Sequence, residues 1–216
     1  MKIGNLFMDI ETLPAPEEEL DTLKYLFEKL KTRREKRLGT EAVTGENDKY
    51  SFAQFHANTC FDGAFGRILC IGYALDDKPT KVICTPDKEK KMVEKFWELA
   101  RDAQTLVGHN LIEFDLRFIW QRSVKFGVKP SWSELSLVRN HTSRIFDTAK
   151  EWTKGVSMKD PGLEYLAMAL GIPSPKDEID GASVWEFYKN GKIHQICDYC
   201  KRDVDTTREI WKRMTF

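Results

Sequence analysis

The chain has 216 residues, 41% hydrophobic and 31% charged, with 34 lysines and arginines against 34 aspartates and glutamates. That is the composition of a globular protein with one large domain, and a formal charge of zero leaves any grip on phosphate to local patches. No apolar run approaches the ~20 residues of a membrane-spanning helix, and the N-terminus MKIGNLFMDIET lacks the apolar core and cleavage site of a secretory signal, so a cytoplasmic protein is expected.

Ile3 to Ile10 is rich in Ile, Leu, Phe and Met, the pattern of a buried strand. A long charged stretch follows, from Pro14 to about Asn58. Its first part predicts a helix with Leu20, Leu23, Tyr25, Leu26, Phe27 and Leu30 as the apolar side, ending at Gly39. Within it the basic run KLKTRREKR, Lys29 to Arg37, is a local patch that can grip phosphates, and the basic helix Leu20 to Arg37 could dock a partner or simply cover the domain. Strand patterns return at Arg67 to Leu75 and Thr80 to Thr85, separated by the turn-like DDKP. DKEKKMVEKFWELARDA has helical spacing through Met92, Val93, Phe96, Trp97 and Leu99, TLVGHN is a short strand, and a helix runs from about Phe114 to Phe126. Past a loop with Pro130 comes RIFDTAKEW, where Asp147 is placed to cap a helix. The short helix GLEYLAMALG, the segment SVWEFYKNG and a final helix from about Ile193 to Met214 complete the chain. Strands alternating with helices predict a mixed α/β sheet covered by helices.

Acidic residues recur at three junctions. Asp9 and Glu11 in MDIET are two apart on a strand and aim at one spot, where two carboxylates repel unless a cation neutralises them. Mg²⁺ and Mn²⁺ favour such oxygen donors, although D-x-E at a strand end is also common as a solvated pair. In HNLIEFD, Asp115 falls in the first turn of a helix, a position the helix dipole favours for any acid, and Asn110 could be a helix cap. His109 before it reads as a hydrogen-bonded structural residue. In CDYCKRD, Tyr199 and Asp203 lie four apart on one helix face. Cys197 and Cys200 flank them, either as packing residues or as half of a zinc site. The remaining cysteines, at 60, 70 and 84, are scattered in a way that excludes a disulfide framework.

Taken together and in this order, the three clusters resemble the motifs of the DEDD superfamily of 3′–5′ exonucleases. D-x-E matches Asp9 and Glu11, N-x(2–3)-[FY]-D matches Asn110, Phe114 and Asp115, and Y-x(3)-D, the mark of the tyrosine (DEDDy) branch, matches Tyr199 and Asp203. Position 198, where the histidine branch has His, is Asp198. The phrase GASVWEFYKNGKIHQICDYCKRDVDTT is most similar to proofreading exonuclease domains of family-B DNA polymerases.

The resemblance implies a ribonuclease H-like fold, a mixed five-stranded sheet flanked by helices, as a single domain over residues 1–216 with a helical insertion at about 14–60. It implies two divalent cations, Mg²⁺ or Mn²⁺, held by Asp9, Glu11, Asp115 and Asp203 about 3.5–4 Å apart. Asp9 would bridge both ions and Tyr199 would orient the attacking water. Thr12, Leu13, Asn110 and Phe114 would contact the terminal nucleotides, with core packing the alternative for Phe114. The implied reaction is hydrolysis at the 3′ end of nucleic acid, single-stranded DNA first and RNA as the alternative, releasing nucleoside 5′-monophosphates. A DNA polymerase or another replication or repair protein is the implied partner. The rival is a catalytically silent module that binds a nucleic-acid end or a polymerase. On this reading the cysteines are packing residues, because a structural zinc site needs four ligands and no second pair has suitable spacing.

Overall fold

The structure, a computed structural model, describes residues 3–38, 51–132, 144–154, 156, 161–174 and 179–215. Gly39, where the sequence ends its first helix, lies outside them. Five strands form one sheet: β1 (Ile3–Leu13), β2 (Arg67–Leu75), β3 (Lys81–Ile83), β4 (Ala103–Gly108) and β5 (Ile145–Asp147), in the order β3-β2-β1-β4-β5. β2 runs antiparallel to β1, while β4 is parallel to β1 and β5 to β4, so the sheet is mixed as expected.

Period-two alternation in β1 assigns its two faces. Leu6, Met8 and Ile10 join Ile68 and Ile71 against α3 (Glu89–Arg101) and α4 (Asp115–Phe126), whose Met92, Phe96, Leu116 and Phe118 are fully buried. The opposite face packs on α7 (Val184–Lys189) and α8 (Ile193–Met214), with Leu13, Leu69 and Cys70 meeting Val184, Ile196 and Cys200. Phe7 sits edge-on to Trp211 at 5.3 Å, continuing this core along α8. Two shorter helices, α5 (Thr148–Thr153) and α6 (Leu163–Ala169), cover the β5 side, α6 through Leu166 and Ala167 packed against Ile210.

β1 continues three residues past the Ile10 boundary the sequence suggests. Asp and Glu disfavour strands in isolation, but pairing of Glu11 with Cys70 and of Leu13 with Arg67 on β2 overrides that preference. The register shifts between Glu11 and Thr12, a bulge of the kind that re-aims side chains beside active sites. β4 instead stops early, at Gly108, and Asn110 adopts a left-handed φ of 54°, which Asn tolerates better than most residues.

The segment between β1 and β2 carries a 3-10 turn (Glu17–Glu19), α1 (Leu20–Leu38), α2 (Phe52–Ala57) and a second 3-10 turn (Asn58–Phe61). The apolar side of α1 is narrower than the sequence implied: Leu23 and Phe27 are buried, Tyr25 and Leu30 exposed. Phe27 packs on Phe52 and Phe55 of α2 at 5.7 and 5.5 Å. The segment is stitched to the exit of β1 by three polar contacts. Thr12 Oγ1 donates to the Cys60 carbonyl at 2.7 Å, the Ala15 N–H donates to Thr59 Oγ1 at 2.8 Å, and His56 Nε2 meets the Ala15 carbonyl at 2.8 Å. No helix among the described residues is long and apolar enough to cross a membrane.

Candidate active site

One strand and two helices bring the acids together. Asp9 and Glu11 project from β1 on the α8 side, the face that Leu13 shares. Beyond Phe7, β1 has no pairing with β4, so the Ile10 N–H needs another acceptor. Asp115, in the first turn of α4, supplies it through Oδ1 at 2.9 Å. That bond ties the third acid to the strand that carries the first two. From α8, Tyr199 and Asp203 are both buried, at 6% exposure each, on the face that also buries Ile196, Cys200 and Val204. A carboxylate on the apolar face of a helix is costly unless something there needs it.

The electrostatics show how closely the groups converge. Burial raises the pKa of Asp9 well above the ordinary carboxyl range, and the charges of Asp115, Asp203 and Glu11 push it further. Glu11 is raised by burial, then by Asp203 and Asp115. Asp115 is raised by burial, against which the N–H donors of Ile10 and of its own backbone pull down. The Tyr199 phenol is held protonated far above its usual value by burial, then by the charges of Asp203, Glu11 and Asp9 and a hydrogen bond with Asp203. The charges that act most strongly on Asp9, Glu11 and Asp115 are those of other acids rather than of a lysine or arginine. Such an oxygen-rich pocket of repelling carboxylates fits a hard divalent cation, which would supply the missing positive charge.

Cys200 is the member that the sequence reading passed over. Its thiol donates to Asp9 Oδ2 at 3.4 Å and lies 3.6 Å from the Asp9 carbonyl oxygen. One donor atom each from Asp9, Glu11 and Cys200 lie within 4.8 Å of one another. Gly72, opposite Asp9 in the sheet, allows this approach: a Cβ there would stand 2.8 Å from Cys200 Sγ and 3.1 Å from its carbonyl oxygen. A second cysteine pair does arrive, through space rather than by spacing. Cys84 neighbours Cys197, Cys197 neighbours Cys70, and Cys70 neighbours Cys200, each close enough to shift the other's titration. These thiols form a string, not a cage, since among the described residues only the Asp9, Glu11 and Cys200 group brings three donor atoms together. Cys197 is pushed up to about 12 by its bond with Cys70 and by burial, so it stays a thiol at neutral pH. Zinc therefore gains no support, and Cys70 and Cys197 pack as expected.

The residues expected to touch substrate are placed less uniformly. The Thr12 hydroxyl is committed to Cys60, and the Leu13 side chain is fully buried, which leaves their backbone groups for a ligand. Asn110 does not cap α4, whose N-cap is Phe114 without a side-chain bond. Its N–H donates to Asp147 Oδ1 at 2.9 Å, and its carbonyl accepts from Phe114 N at 3.1 Å. Phe114 is half-buried and packs on Phe118 with centroids 5.9 Å apart, consistent with a core role. Asp147 caps α5 through the Ala149 N–H, and it also binds the N–H of Ile112, clamping the loop that delivers Asp115. His109 bonds Thr148 Oγ1 and the Pro161 carbonyl, both at 2.9 Å, as a structural histidine. Asp205 faces away from the acids but is not merely solvated: it takes the Thr80 hydroxyl at 2.5 Å and Arg208 at 2.6 Å.

Residues 64–216 match the model of a family described as predicted 3′–5′ exonucleases related to the exonuclease domain of PolB. The chain belongs to that family. The matched segment of this exonuclease-family chain carries Asp115, Tyr199 and Asp203, while Asp9 and Glu11 precede it and join through β1. The chain is 27% identical over 156 residues to an uncharacterized protein of Methanocaldococcus jannaschii, an alignment covering 68% of this chain and 84% of that one. Its fold is similar to that of the family B DNA polymerase from the hyperthermophilic archaeon Pyrobaculum calidifontis, with a TM-score of 0.65 and 14% identity. That superposition covers 98% of this chain and 24% of the polymerase, so the chain spans about a quarter of that protein. The α/β fold is of the ribonuclease H-like kind that the motifs implied.

Proposed function

We propose that this protein is a metal-dependent 3′–5′ exonuclease acting on single-stranded nucleic acid, with residues 1–216 as one catalytic domain and residues 14–60 as an insertion. The observation that carries this reading is the meeting of Asp9, Glu11, Asp115 and Asp203 with Tyr199 in one pocket, where like charges raise one another. Asp9, Glu11, Asp115 and Asp203 would hold the divalent ions. Bound there, Mg²⁺ or Mn²⁺ makes a water acidic enough to attack at neutral pH and offsets charge on a leaving oxygen. Tyr199 stays protonated, so it orients the attacking water through its hydroxyl rather than acting as a base. Water oxygen adds to the terminal phosphorus, the 3′ oxygen of the preceding nucleotide departs with a proton, and a nucleoside 5′-monophosphate is released. DNA is favoured over RNA on the likeness to a DNA polymerase. The test is to incubate 5′-labelled DNA and RNA oligonucleotides, single- and double-stranded, with the protein. Shortening from the 3′ end with Mg²⁺ or Mn²⁺, abolished by EDTA, is expected on single-stranded DNA, and binding without shortening of any of them would refute the enzymatic reading.

Cys200 is expected to tune the ion site by holding Asp9 in place. Removing a hydrogen-bond partner of a metal ligand typically costs 10–100-fold in affinity. Cys200→Ala should weaken Mn²⁺ binding by about that factor in an electron paramagnetic resonance titration, while Cys200→Ser, which keeps a donor, stays near wild type.

A further inference from the structure

Arg67 opens β2 on the catalytic face and has no polar partner among the described residues. Its register partner is Leu13, on the same side of β1 as Asp9 and Glu11. Leu13 lies two positions beyond Glu11 along β1, about 7 Å, so Arg67 stands at the rim of the pocket rather than within it. The guanidinium packs over the Tyr188 ring, 5.7 Å from its centroid, and Tyr188 stacks on Trp185 at 5.6 Å and 15°. Both rings rest against the core that holds Leu13 and Tyr199. This backing positions the cation without neutralising it. Nε is buried with no hydrogen-bond partner, an expensive state for a group that is all donors and always charged.

Arg67 also lines a cavity of about 370 Å³ that begins at Pro16, just past the exit of β1. Two of its acids are already engaged, Glu19 with Lys125 at 2.8 Å and Glu89 with Arg122 at 2.6 Å. What remains of the lining charge is Arg67, Lys88 and Lys90 against Asp87. Because Glu89 and Arg122 line it, the cavity lies toward α3 and α4, whereas the guanidinium itself lies toward α7, where a planar fork of donors without a partner is suited to a phosphodiester oxygen.

We propose that Arg67 binds a phosphate group of the strand whose 3′ end lies on the four acids. The proposal rests on the exonuclease reading for the identity of the strand, and binding measured without metal separates the two. The experiment is fluorescence anisotropy of a 5′-fluorescein single-stranded oligonucleotide with the full chain in EDTA, over a range of salt. Arg67→Gln should weaken binding roughly tenfold to a hundredfold, the value of a charge-assisted hydrogen bond. It should also lower the slope of log affinity against log salt by about 0.7, one phosphate contact on a single strand. In turnover with Mg²⁺ the same variant should raise KM and leave kcat near wild type, whereas Asp9→Ala should lose kcat without weakening metal-free binding. A folded Arg67→Gln protein with wild-type affinity and slope would overturn the proposal. Arg67→Lys, which keeps the charge without the fork, should retain the salt slope and bind between wild type and Arg67→Gln, which separates a phosphate contact from a folding effect. An Arg67→Lys protein that binds no better than Arg67→Gln would likewise overturn it.

Discussion

Asp9→Ala should reduce the rate of 3′-end shortening by at least several orders of magnitude, read as the time course of a 5′-labelled oligonucleotide on a gel with saturating Mn²⁺. Metal catalysis supplies much of the rate of phosphodiester hydrolysis, and Asp9 is the acid on which the charges of Asp115, Asp203 and Glu11 all act. The same substitution should not destabilise the fold in EDTA. Asp9 has a folded-state pKa raised above its unfolded value by burial and by its neighbours. A carboxyl shifted that way opposes folding once the pH exceeds the unfolded pKa, because the folded state then holds a charge it resists. At neutral pH the alanine variant should therefore melt at or above the wild-type temperature while losing activity. Such opposed effects mark a site that spends stability on function. Activity near wild type in a folded Asp9→Ala protein would remove the four acids as the catalytic centre.

The largest effect on stability is expected on the other side of the sheet. Glu89 at the start of α3 and Arg122 in α4 are both buried, at 8% and 4% exposure, and form a two-pronged pair with Nε to Oε1 at 2.7 Å and NH2 to Oε2 at 2.6 Å. Glu89 also accepts the Ile68 N–H at 2.8 Å, and Arg122 donates to the Gly63 carbonyl at 3.1 Å. The pair joins α3, α4, the β2 strand and the turn before it. Arg122→Ala would leave the Glu89 charge buried with one N–H for company, which costs about 3–5 kcal/mol. Urea unfolding should show a midpoint lowered accordingly, with an unchanged slope. Replacing both partners with apolar residues of similar volume should recover most of the loss, since the pair itself is nearly balanced by its desolvation. A drop below ~1 kcal/mol in Arg122→Ala would show that Glu89 finds water or another donor.

Much of this architecture is visible in the residues alone because it is local. Leu6, Met8 and Ile10 alternate with Phe7, Asp9 and Glu11, and a strand with two different faces follows from period two wherever a partner pairs with it. Met92, Val93, Phe96 and Trp97 recur at helical spacing and are buried. The motif spacings named Asp115, Tyr199 and Asp203 in the same way, through positions within one helix turn or one strand. Less visible were the end of β1, which depends on how far β2 runs alongside it, and the width of the apolar side of α1, which depends on how little of that helix α2 covers.

Which chemistry is present can be read from the residues alone: four acids and a tyrosine on elements whose periodicity they set, together with the family to which they point. Only the tertiary structure decided what those groups meet. Asp115 reaches the Ile10 N–H because β4 leaves β1 after Phe7, and Cys200 reaches Asp9 because Gly72 lets α8 settle closely on the sheet. Arg67 comes to rest beside Tyr188 because the bulge after Glu11 carries β2 into register with Leu13. The physical reason is one of range. Hydrophobic period acts along a single element, whereas contact across elements is set by register and approach distance, which no local pattern encodes.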